Sequence, residues 1–425
     1  MHKDQFCVIV DAYSTGNQLY NHFNQYGYTV IHVQSSKEIS PIFEPSFRRK
    51  DFTINIIHNG NLKETVAIIR KYEPSFIVPG AETGVELANE IAKELNLKRN
   101  DDDKVHARRN KYLMNEIIRE KGLPTVEQIK TGDLIEAKEW AVRLNKWPLV
   151  VKPLHSAASD GVNFCHNKEG LDHAFNELVN KRNSLGILND EILVQRYLDG
   201  QHYVVNAITY EGKHFITDIW TQEFHKGAGV TVIYDSISLV PYNDVKHAEI
   251  VRYVKSTIDA LGVKYGPTHT ELRLTEEGPR LIEVNCRTMG LSLKEEIISE
   301  ALSYSYSSLT ADCYANPEKI VNLVSKNKMY KINNYISLVF LITSQEGIID
   351  DIPGLKFLES LPSFGDVQLN VKKDDELKKT INVETHPGFI LFTSDSPTQI
   401  ESDYRKLRDL ENKNLFFKTK ELVLN

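Results

Sequence analysis

One predicted β-hairpin constrains this chain more than any other feature, and it ends in residues 281–287, with the sequence Leu-Ile-Glu-Val-Asn-Cys-Arg. Because strand side chains alternate between two faces, Glu283, Asn285 and Arg287 would share one face. The opposite, apolar face would hold Ile282, Val284 and Cys286. An exposed strand with ordinary polar residues is the alternative. However, an acid, an amide and a guanidinium in a row suit Mg²⁺ and phosphate oxygens.

The six residues that begin at His269 read His-Thr-Glu-Leu-Arg-Leu and precede a turn-like Thr-Glu-Glu-Gly. If the turn centres on Glu277, then Glu271 faces Glu283 and His269 faces Asn285, about 5 Å apart at Cβ. Two facing carboxylates repel each other unless a cation lies between them. A metal site for a nucleoside triphosphate would explain the pair, whereas a register slip of one residue would separate it.

The composition excludes several classes of function. With 425 residues, the chain predicts about two to four subdomains rather than one simple core. A net charge of −7, with scattered Lys and Arg, argues against nucleic-acid binding. No apolar run is long enough to span a membrane. The four cysteines lack the spacing of a zinc site, which favours reduced thiols and a cytoplasmic location.

The order of predicted strands and helices divides the chain into three regions and predicts a multidomain α/β and α+β fold. Residues 1–108 alternate strands with helices, which indicates a parallel sheet with ligands at the carboxyl ends of its strands. Glu82 follows one such end, where it could contact a ligand or serve as an acid at a helix N-terminus. Residues 109–325 would form a central region, and residues 326–425 a separate C-terminal lobe.

A strand that ends at Lys152 precedes a loop of small residues that includes Ser156, Ser159 and Gly161. Such a loop can close backbone N–H groups around phosphates, with Lys152 as a point charge. Its spacing is neither that of a Walker A loop nor that of a dinucleotide-binding turn, so an ordinary connection explains it equally well.

Two further segments complete the predicted central region. A helix over 108–120 would carry Lys111. Residues 191–198 read as an edge-like strand whose backbone could pair with an adenine edge. Composition alone predicts an ordinary strand there.

In chain order, these pieces form a recognisable set. The segments are Pro79-Gly80-Ala81-Glu82-Thr83-Gly84, Arg108-Arg109-Asn110-Lys111, Lys152, Ser159-Asp160-Gly161, Gln195-Arg196-Tyr197-Leu198, His202, His269-Thr270-Glu271 and Glu283-x-Asn285-x-Arg287. Their order and spacing resemble the ATP-grasp superfamily and, within it, the L-amino acid ligases, which make dipeptides. The resemblance covers almost the whole chain. It implies an ATP-grasp fold with an N-terminal parallel α/β (pre-ATP-grasp) domain and a biotin-carboxylase-like C-terminal lobe.

The resemblance implies ATP and Mg²⁺, for which Mn²⁺ could substitute, as cofactors. The ATP contacts would be Lys111, Lys152, Ser156, Ser159, Gly161, Gln195, Arg196, Leu198 and His202. Glu271, Glu283 and Asn285 would hold the metal, and Arg287 would stabilise the transferred phosphoryl group. The amino acid substrates would face Glu82, His269, Met289, Gly290 and Leu291. Many relatives carry Glu at His202 and at one of the positions Gln195 and Arg196.

The implied reaction joins two L-amino acids through an aminoacyl-phosphate and releases ADP and phosphate. A lid formed by about 123–200 would exclude water. The partners would be the amino acid substrates and a second copy in a homodimer, with no nucleic acid or membrane. Loop residues Glu223, His225 and Lys226 could also enter the site.

Two other readings compete with the dipeptide ligase. One is an ATP-grasp ligase or carboxylase-type enzyme with another acid or acceptor. The other is an ATP-binding protein without turnover, against which the intact metal and phosphoryl positions argue.

Overall fold

The computed structural model describes residues 5–156, 160–225, 233–326 and 328–420. The N-terminal region consists of β1 (Gln5–Val10), α1 (Leu19–Gln25), β2 (Tyr28–Gln34), β3 (Ile54–Ile57), α2 (Leu62–Arg70), β4 (Ile77–Pro79) and α3 (Val85–Glu94). Its strands pair in parallel in the order β3-β2-β1-β4, as predicted. β1 is buried continuously from Cys7 to Val10, as expected for a parallel strand that is covered on both faces.

Two loops meet at the carboxyl end of this sheet because glycines let their backbones touch. A Cβ on Gly16, in the loop after β1, would lie 2.1 Å from the carbonyl oxygen of Gly80, in the loop after β4. A Cβ on Gly80 would in turn lie 2.5 Å from the carbonyl oxygen of Asp11. The contact supports the short 3₁₀ turn that begins at Glu82.

Replacement of Gly16 by alanine should therefore lower the free energy of unfolding by about 1–3 kcal/mol, since backbone must move to admit the methyl group. Urea denaturation measures this loss. Gly290→Ala is the matched control, because a Cβ at Gly290 has nothing within 4 Å and should change the free energy by less than about 0.5 kcal/mol. Equal stability of the two variants would contradict the close loop contact.

The central region begins with a small four-stranded antiparallel unit. Its elements are α4 (Lys111–Glu120), β5 (Gln128–Thr131), α5 (Leu134–Leu144), β6 (Leu149–Pro153), β7 (Asn163–Cys165), α6 (Lys168–Leu178) and β8 (Ile192–Arg196). The strand order is β5-β8-β6-β7. The predicted edge position of β8 is therefore wrong: β5 and β6 flank it, and it is buried from Ile192 to Gln195. α4 begins three residues later than predicted, because the Asn110 side chain caps it by accepting the N–H groups of Tyr112 and Leu113.

The remaining elements surround one large sheet. They are β9 (Gln201–Tyr210), β10 (Lys213–Phe224), β11 (Tyr234–Val240), α7 (Asp244–Ala260), β12 (Tyr265–Thr275), β13 (Gly278–Asn285), α8 (Glu295–Leu302), α9 (Tyr306–Ala315), α10 (Pro317–Ser325), β14 (Tyr335–Phe340), β15 (Gly347–Asp351), α11 (Gly354–Glu359), β16 (Phe364–Leu369), β17 (Glu376–Leu377), β18 (Gly388–Ser394), α12 (Pro397–Asn412) and β19 (Lys418–Lys420). The eight-stranded order is β13-β12-β9-β10-β11-β14-β18-β16, and β17-β15-β19 form a small third antiparallel sheet.

The C-terminal region thus shares the central sheet through β14, β18 and β16, but it packs its own apolar cluster around residues such as Leu358 and Phe392. The largest apolar cluster lies under β9, β10 and β12 and includes the fully buried Trp220. Among the described residues, no helix combines the length and apolar composition needed to cross a membrane.

The register of the β12–β13 hairpin is confirmed. Glu271 faces Glu283 and His269 faces Asn285. The turn is one residue shorter than predicted, because Thr275 pairs with Gly278, and a bulge beside Glu271 restores the register. Ile282 is the extra residue of that bulge and is only half-buried, so the prediction that it joins the apolar face is wrong. Leu281 takes its place in the core beside Val284 and Cys286.

Candidate active site

Each of the two facing carboxylates of the hairpin lies close to nitrogen atoms of neighbouring side chains. Glu283 accepts a hydrogen bond from Asn285 Nδ2 at 3.0 Å and forms an ion pair with Lys111 Nζ, also at 3.0 Å. Glu271 Oε1 lies 3.4 Å from His269 Nε2, and Glu271 Oε2 lies 3.3 Å from His202 Nε2. The structure thus brings together the predicted acids, the predicted amide and one predicted ATP lysine.

The electrostatic surroundings keep both carboxylates charged. Burial raises the pKa of Glu271, but His202 and His269 outweigh that effect and hold its pKa well below the usual range. Burial and the neighbouring Glu271 raise the pKa of Glu283, whereas Lys111 and Asn285 lower it, and the net pKa is below the usual value. Two ionised, partly buried acids that face each other form a site that favours a cation.

Lys111 and Lys152 converge on this site from separate elements. Lys111 is the first residue of α4, and its Nζ also donates to the Ser156 carbonyl at 3.1 Å, which ties the predicted phosphate loop to Glu283. Lys152 lies in β6 and is almost fully buried. Burial and the charge of Lys111 lower the pKa of Lys152 to about 8, although Glu283 opposes the shift.

Arg287 follows β13 and pairs with the N-terminal region. Its Nε donates to Glu82 Oε2 at 3.2 Å, and one terminal nitrogen donates to the Thr288 carbonyl at 2.8 Å. Arg109 Nε lies 3.5 Å from the other oxygen of Glu82. Glu82 therefore lies between two guanidinium groups, so a substrate that Glu82 faces, as predicted, would have to share this acid with both arginines.

The predicted adenine contacts lie at the end of β8, with part of their bonding capacity already used. Gln195 Nε2 donates to Gln128 Oε1 at 2.9 Å, which leaves the Gln195 oxygen to accept from an adenine amino group. The backbone N–H of Arg196 donates to Glu127, so only its carbonyl could face the base. The Arg196 guanidinium also pairs with Glu127 at 2.8 Å.

The remaining residues that were predicted to contact ATP are Leu198, His202, Gly161 and Ser159. Leu198 is buried. His202 stacks on Phe224 with ring centroids 5.5 Å apart. Gly161 has φ +70°, a conformation that favours glycine. Ser159 lies outside the described residues.

The predicted substrate loop follows Arg287. Met289 is buried, and its sulfur lies 3.8 Å from Asn206 Nδ2. Leu291 has φ +70° and is partly exposed, and nothing lies near Gly290 on the side where a Cβ would be. Of the three loop candidates, Glu223 accepts from Gln201 at 3.0 Å and the His225 N–H donates to the Ile233 carbonyl, whereas Lys226 lies outside the described residues.

Within the described parts of the chain, no cluster of three or more His, Cys, Asp or Glu side chains has the geometry of a metal centre. The donor set nevertheless fits Mg²⁺, because this ion takes few protein carboxylates and completes its shell with water and phosphate oxygens. The pair Glu271 and Glu283, which face each other on the hairpin, supplies such carboxylates. Asn285 uses its side-chain nitrogen for Glu283, so its oxygen remains available to bind the ion.

Sequence reasoning missed three residues that contact the site. Arg109 pairs with Glu82, and its position two residues before Lys111 was the available signal. Asn206 bonds to His269 Nδ1 at 2.9 Å, and Asp218 bonds to Asn206 at 2.6 Å. Asn206 stands between Val205 and Ala207, and Asp218 stands between Thr217 and Ile219, in strands that are largely buried. A polar residue among buried neighbours predicts a buried hydrogen-bond network.

Comparisons with known proteins agree with this geometry. A family model described as the ATP-grasp domain matches residues 145–295. Dapdiamide A synthase from Enterobacter agglomerans is 29% identical over 416 residues, which cover 97% of each chain. The solved L-amino acid ligase from Bacillus licheniformis shares the fold with a TM-score of 0.76 at 17% identity, over 99% of this chain and 100% of that one.

The C-terminal region also has a counterpart. The biotin carboxylase domain of a 2-oxoglutarate carboxylase from Hydrogenobacter thermophilus, solved as a dimer with MgADP, aligns over 97% of this chain and 90% of its own, with a TM-score of 0.63 at 13% identity. The match includes the C-terminal strands of the eight-stranded sheet within its span. We conclude that the chain contains an ATP-grasp domain and that its relatives support a carboxylate–amine ligase.

Proposed function

We propose that this protein joins two L-amino acids into a dipeptide and converts ATP to ADP and phosphate. The observation that carries the proposal is the convergence of Glu271, Glu283 and Lys111 on one side of the hairpin. These three side chains suit a metal-bound triphosphate. Arg287, which follows the hairpin and is held by Glu82, suits an anionic acyl group. Dapdiamide A synthase, which aligns with this chain over nearly the whole length of both, supports the proposal.

In the first half-reaction, a substrate carboxylate attacks the γ-phosphorus of ATP, and the product is an aminoacyl-phosphate and ADP. Lys111 and Lys152 would hold the phosphate oxygens, and Arg287 would neutralise the charge that develops on the transferred group. Glu271 and Glu283 would hold Mg²⁺, which offsets phosphate charge when bound. Glu82 and the Thr288 carbonyl accept from Nε and one outer nitrogen of Arg287, so the other outer nitrogen of the guanidinium remains for substrate.

In the second half-reaction, the amine of the other amino acid attacks the acyl carbon and phosphate leaves. The carboxylate alone is a poor electrophile because its leaving group would be oxide, whereas phosphate leaves readily. We assign the stabilisation of an oxyanion on that carbon to Arg287. Water must be excluded from the acyl-phosphate, and we assign that role to a lid of residues 123–200.

A matrix of paired L-amino acids with ATP and Mg²⁺ tests the proposal. Phosphate release is measured for each pair, and mass spectrometry identifies the product. Phosphate release together with a dipeptide mass is the expected result. Phosphate release without a dipeptide in every active pair would contradict it.

A second candidate keeps the same chemistry with a different acid or acceptor. The relative named for the product dapdiamide A favours it, because that chain matches nearly the whole length of this one. The matrix distinguishes the two candidates, since a different acid or acceptor leaves amino acid pairs without product while ATP still binds.

We further propose a cytoplasmic location, which the four buried free cysteines support, and a homodimer of the kind solved for the biotin carboxylase domain.

The buried Lys152 predicts a pH-dependent affinity for ATP. Because its pKa is about 8, roughly half of the protein carries a neutral amine there at that pH. Bound phosphate favours the ammonium, so ATP binding at pH 8 should take up about half a proton, and affinity should fall as the pH rises through 8. Calorimetry in two buffers of different ionisation enthalpy measures this uptake.

The matched control is Lys152→Arg, whose guanidinium stays charged throughout this pH range. This variant should bind ATP without the proton uptake. The same uptake in the wild type and in Lys152→Arg would assign the proton to another group and contradict the prediction.

A further inference from the structure

One face of the first helical segment of the chain contacts the substrate loop, which we define as residues 288–294. The segment consists of a 3₁₀ turn, Ser14–Gln18, that continues directly into α1. Thr15, Gln18 and His22 are three and four residues apart along it, and this spacing places side chains on one face of a helix. The three polar side chains therefore form a single row.

The first two side chains of this row bind the backbone of the substrate loop. The N–H of Ser292 donates to the Thr15 hydroxyl oxygen at 3.1 Å, and Gln18 Nε2 donates to the Leu293 carbonyl, also at 3.1 Å. Thr15 and Leu293 are buried, so both hydrogen bonds lie where water competes little for them.

The third side chain of the row lies at the end of the substrate loop. His22 Nε2 is 2.9 Å from Oε1 of Glu295, which is the first residue of α8. The three contacts follow the same order along both segments. The N-terminal region therefore holds the second half of the loop at successive points rather than at one.

Two consecutive residues of the substrate loop have positive φ although neither is glycine. The φ angle is +70° at Leu291 and +29° at Ser292. Side chains other than glycine disfavour such conformations, which persist only where the surroundings impose them. The Thr15 hydroxyl, which accepts from the N–H of Ser292, places a restraint directly on this strained pair.

The same 3₁₀ turn also supports the arginine that precedes the substrate loop. A Cβ on Gly16 would lie 2.1 Å from the carbonyl oxygen of Gly80, which stands two residues before Glu82. Glu82 in turn accepts from Arg287 Nε. One turn of the N-terminal region therefore touches both segments that were predicted to contact the amino acid substrates.

We propose that Thr15 and Gln18 are positioning residues that hold the substrate loop in the conformation that receives an amino acid. Without either hydrogen bond, the loop would relax toward backbone angles that suit its two strained residues better, and its substrate contacts would move. The loop has space for a substrate beside Gly290, where a Cβ would have nothing within 4 Å. The substrate role rests on the proposed function, whereas the hold on the loop does not.

Hydrogen exchange in the full-length protein, followed by mass spectrometry of its peptides, tests the hold on the loop. Thr15→Val keeps the shape of the side chain and removes the acceptor for the Ser292 N–H. The amides of residues 288–294 should then exchange at least about tenfold faster, while those of β14 keep their wild-type rates. A general loss of stability would instead accelerate exchange in both places.

Steady-state kinetics of the same variant tests the substrate role. In Thr15→Val, the KM for at least one of the two amino acids should rise about tenfold, the effect of one lost hydrogen bond. The KM for ATP should stay within about twofold, because the predicted ATP contacts lie on other elements.

Thr15→Ser is the matched conservative variant, because it keeps the hydroxyl oxygen. It should retain the exchange rates and the KM values of the wild type. Gln18→Met, which removes the donor to the Leu293 carbonyl, should repeat the effects of Thr15→Val, and it tests the proposal even if Thr15→Val does not fold.

Wild-type exchange of the substrate loop in the folded variants Thr15→Val and Gln18→Met would overturn the proposal. Faster exchange with unchanged KM values for both amino acids would also overturn it, since the held conformation would then not matter to the substrate. If the wild type joins no amino acids, the proposed function fails. The exchange rates still decide whether Thr15 and Gln18 hold the loop, and KM is then measured for the acid or acceptor that supports phosphate release.

Discussion

Replacement of Glu283 by glutamine should lower the turnover of ATP by roughly 10³-fold or more, because metal-ion stabilisation of phosphoryl transfer contributes several kcal/mol. Glutamine keeps the shape of the side chain and removes the charge that favours a cation between the strands. It also leaves Lys111 with an amide oxygen in place of its 3.0 Å carboxylate partner. Phosphate release at saturating ATP and Mg²⁺ measures the effect.

Glu277→Gln provides the matched control, because Glu277 lies in the turn of the same hairpin with its side chain 60% exposed. Its turnover should remain within about twofold of the wild type, since exposed ion pairs contribute little. Thermal unfolding shows whether each variant is folded. A folded Glu283→Gln variant with near-normal turnover would show that Glu283 holds no metal ion needed for the reaction.

Arg287→Ala should have an effect of similar size, roughly 10³-fold on turnover, since arginines that neutralise a transferred phosphoryl group contribute 10³ to 10⁵. Arg287→Lys should recover little of it, because a lysine cannot reproduce the planar fork that donates to Glu82 and to substrate at once. ATP should still bind to both variants, since Lys111 and Lys152 are unchanged. Steady-state kinetics and nucleotide titration separate the two effects.

Arg280→Ala is the control on the same strand, because Arg280 pairs with Glu277 at the turn, remote from the site. It should retain near-normal turnover. If Arg287→Ala lost ATP binding in the same proportion as turnover, Arg287 would hold the nucleotide rather than the reacting group.

The hairpin was the part of the site that sequence could predict best. The alternation of Glu283 and Asn285, together with a short turn, fixed which side chains face each other, and the register is confirmed. The bulge at Ile282 could not be predicted, because a bulge changes the alternation locally without a distinctive residue type. The parallel N-terminal sheet was predictable for a different reason, since strands alternate with helices there and β1 is a continuous apolar run.

Contacts between distant segments were beyond sequence reasoning. The pairing of Arg287 with Glu82 joins residues 205 positions apart, and each residue alone had several plausible roles. The interior position of β8 depends on which strands flank it, which its own apolar pattern does not specify. The hydrogen bond between Asn206 and Asp218 likewise forms only when β9 and β10 lie side by side, so neither residue's partner could be predicted from its own strand.

Transfer of oxygen from substrate to phosphate tests the central claim most directly. A carboxylate that attacks the γ-phosphorus of ATP leaves one of its own oxygens on the phosphate when the amine displaces it. With oxygen-18 in the carboxylates of both amino acids of a pair that releases phosphate, mass spectrometry should find one label in each phosphate. Unlabelled phosphate formed alongside the product would contradict an acyl-phosphate ligase.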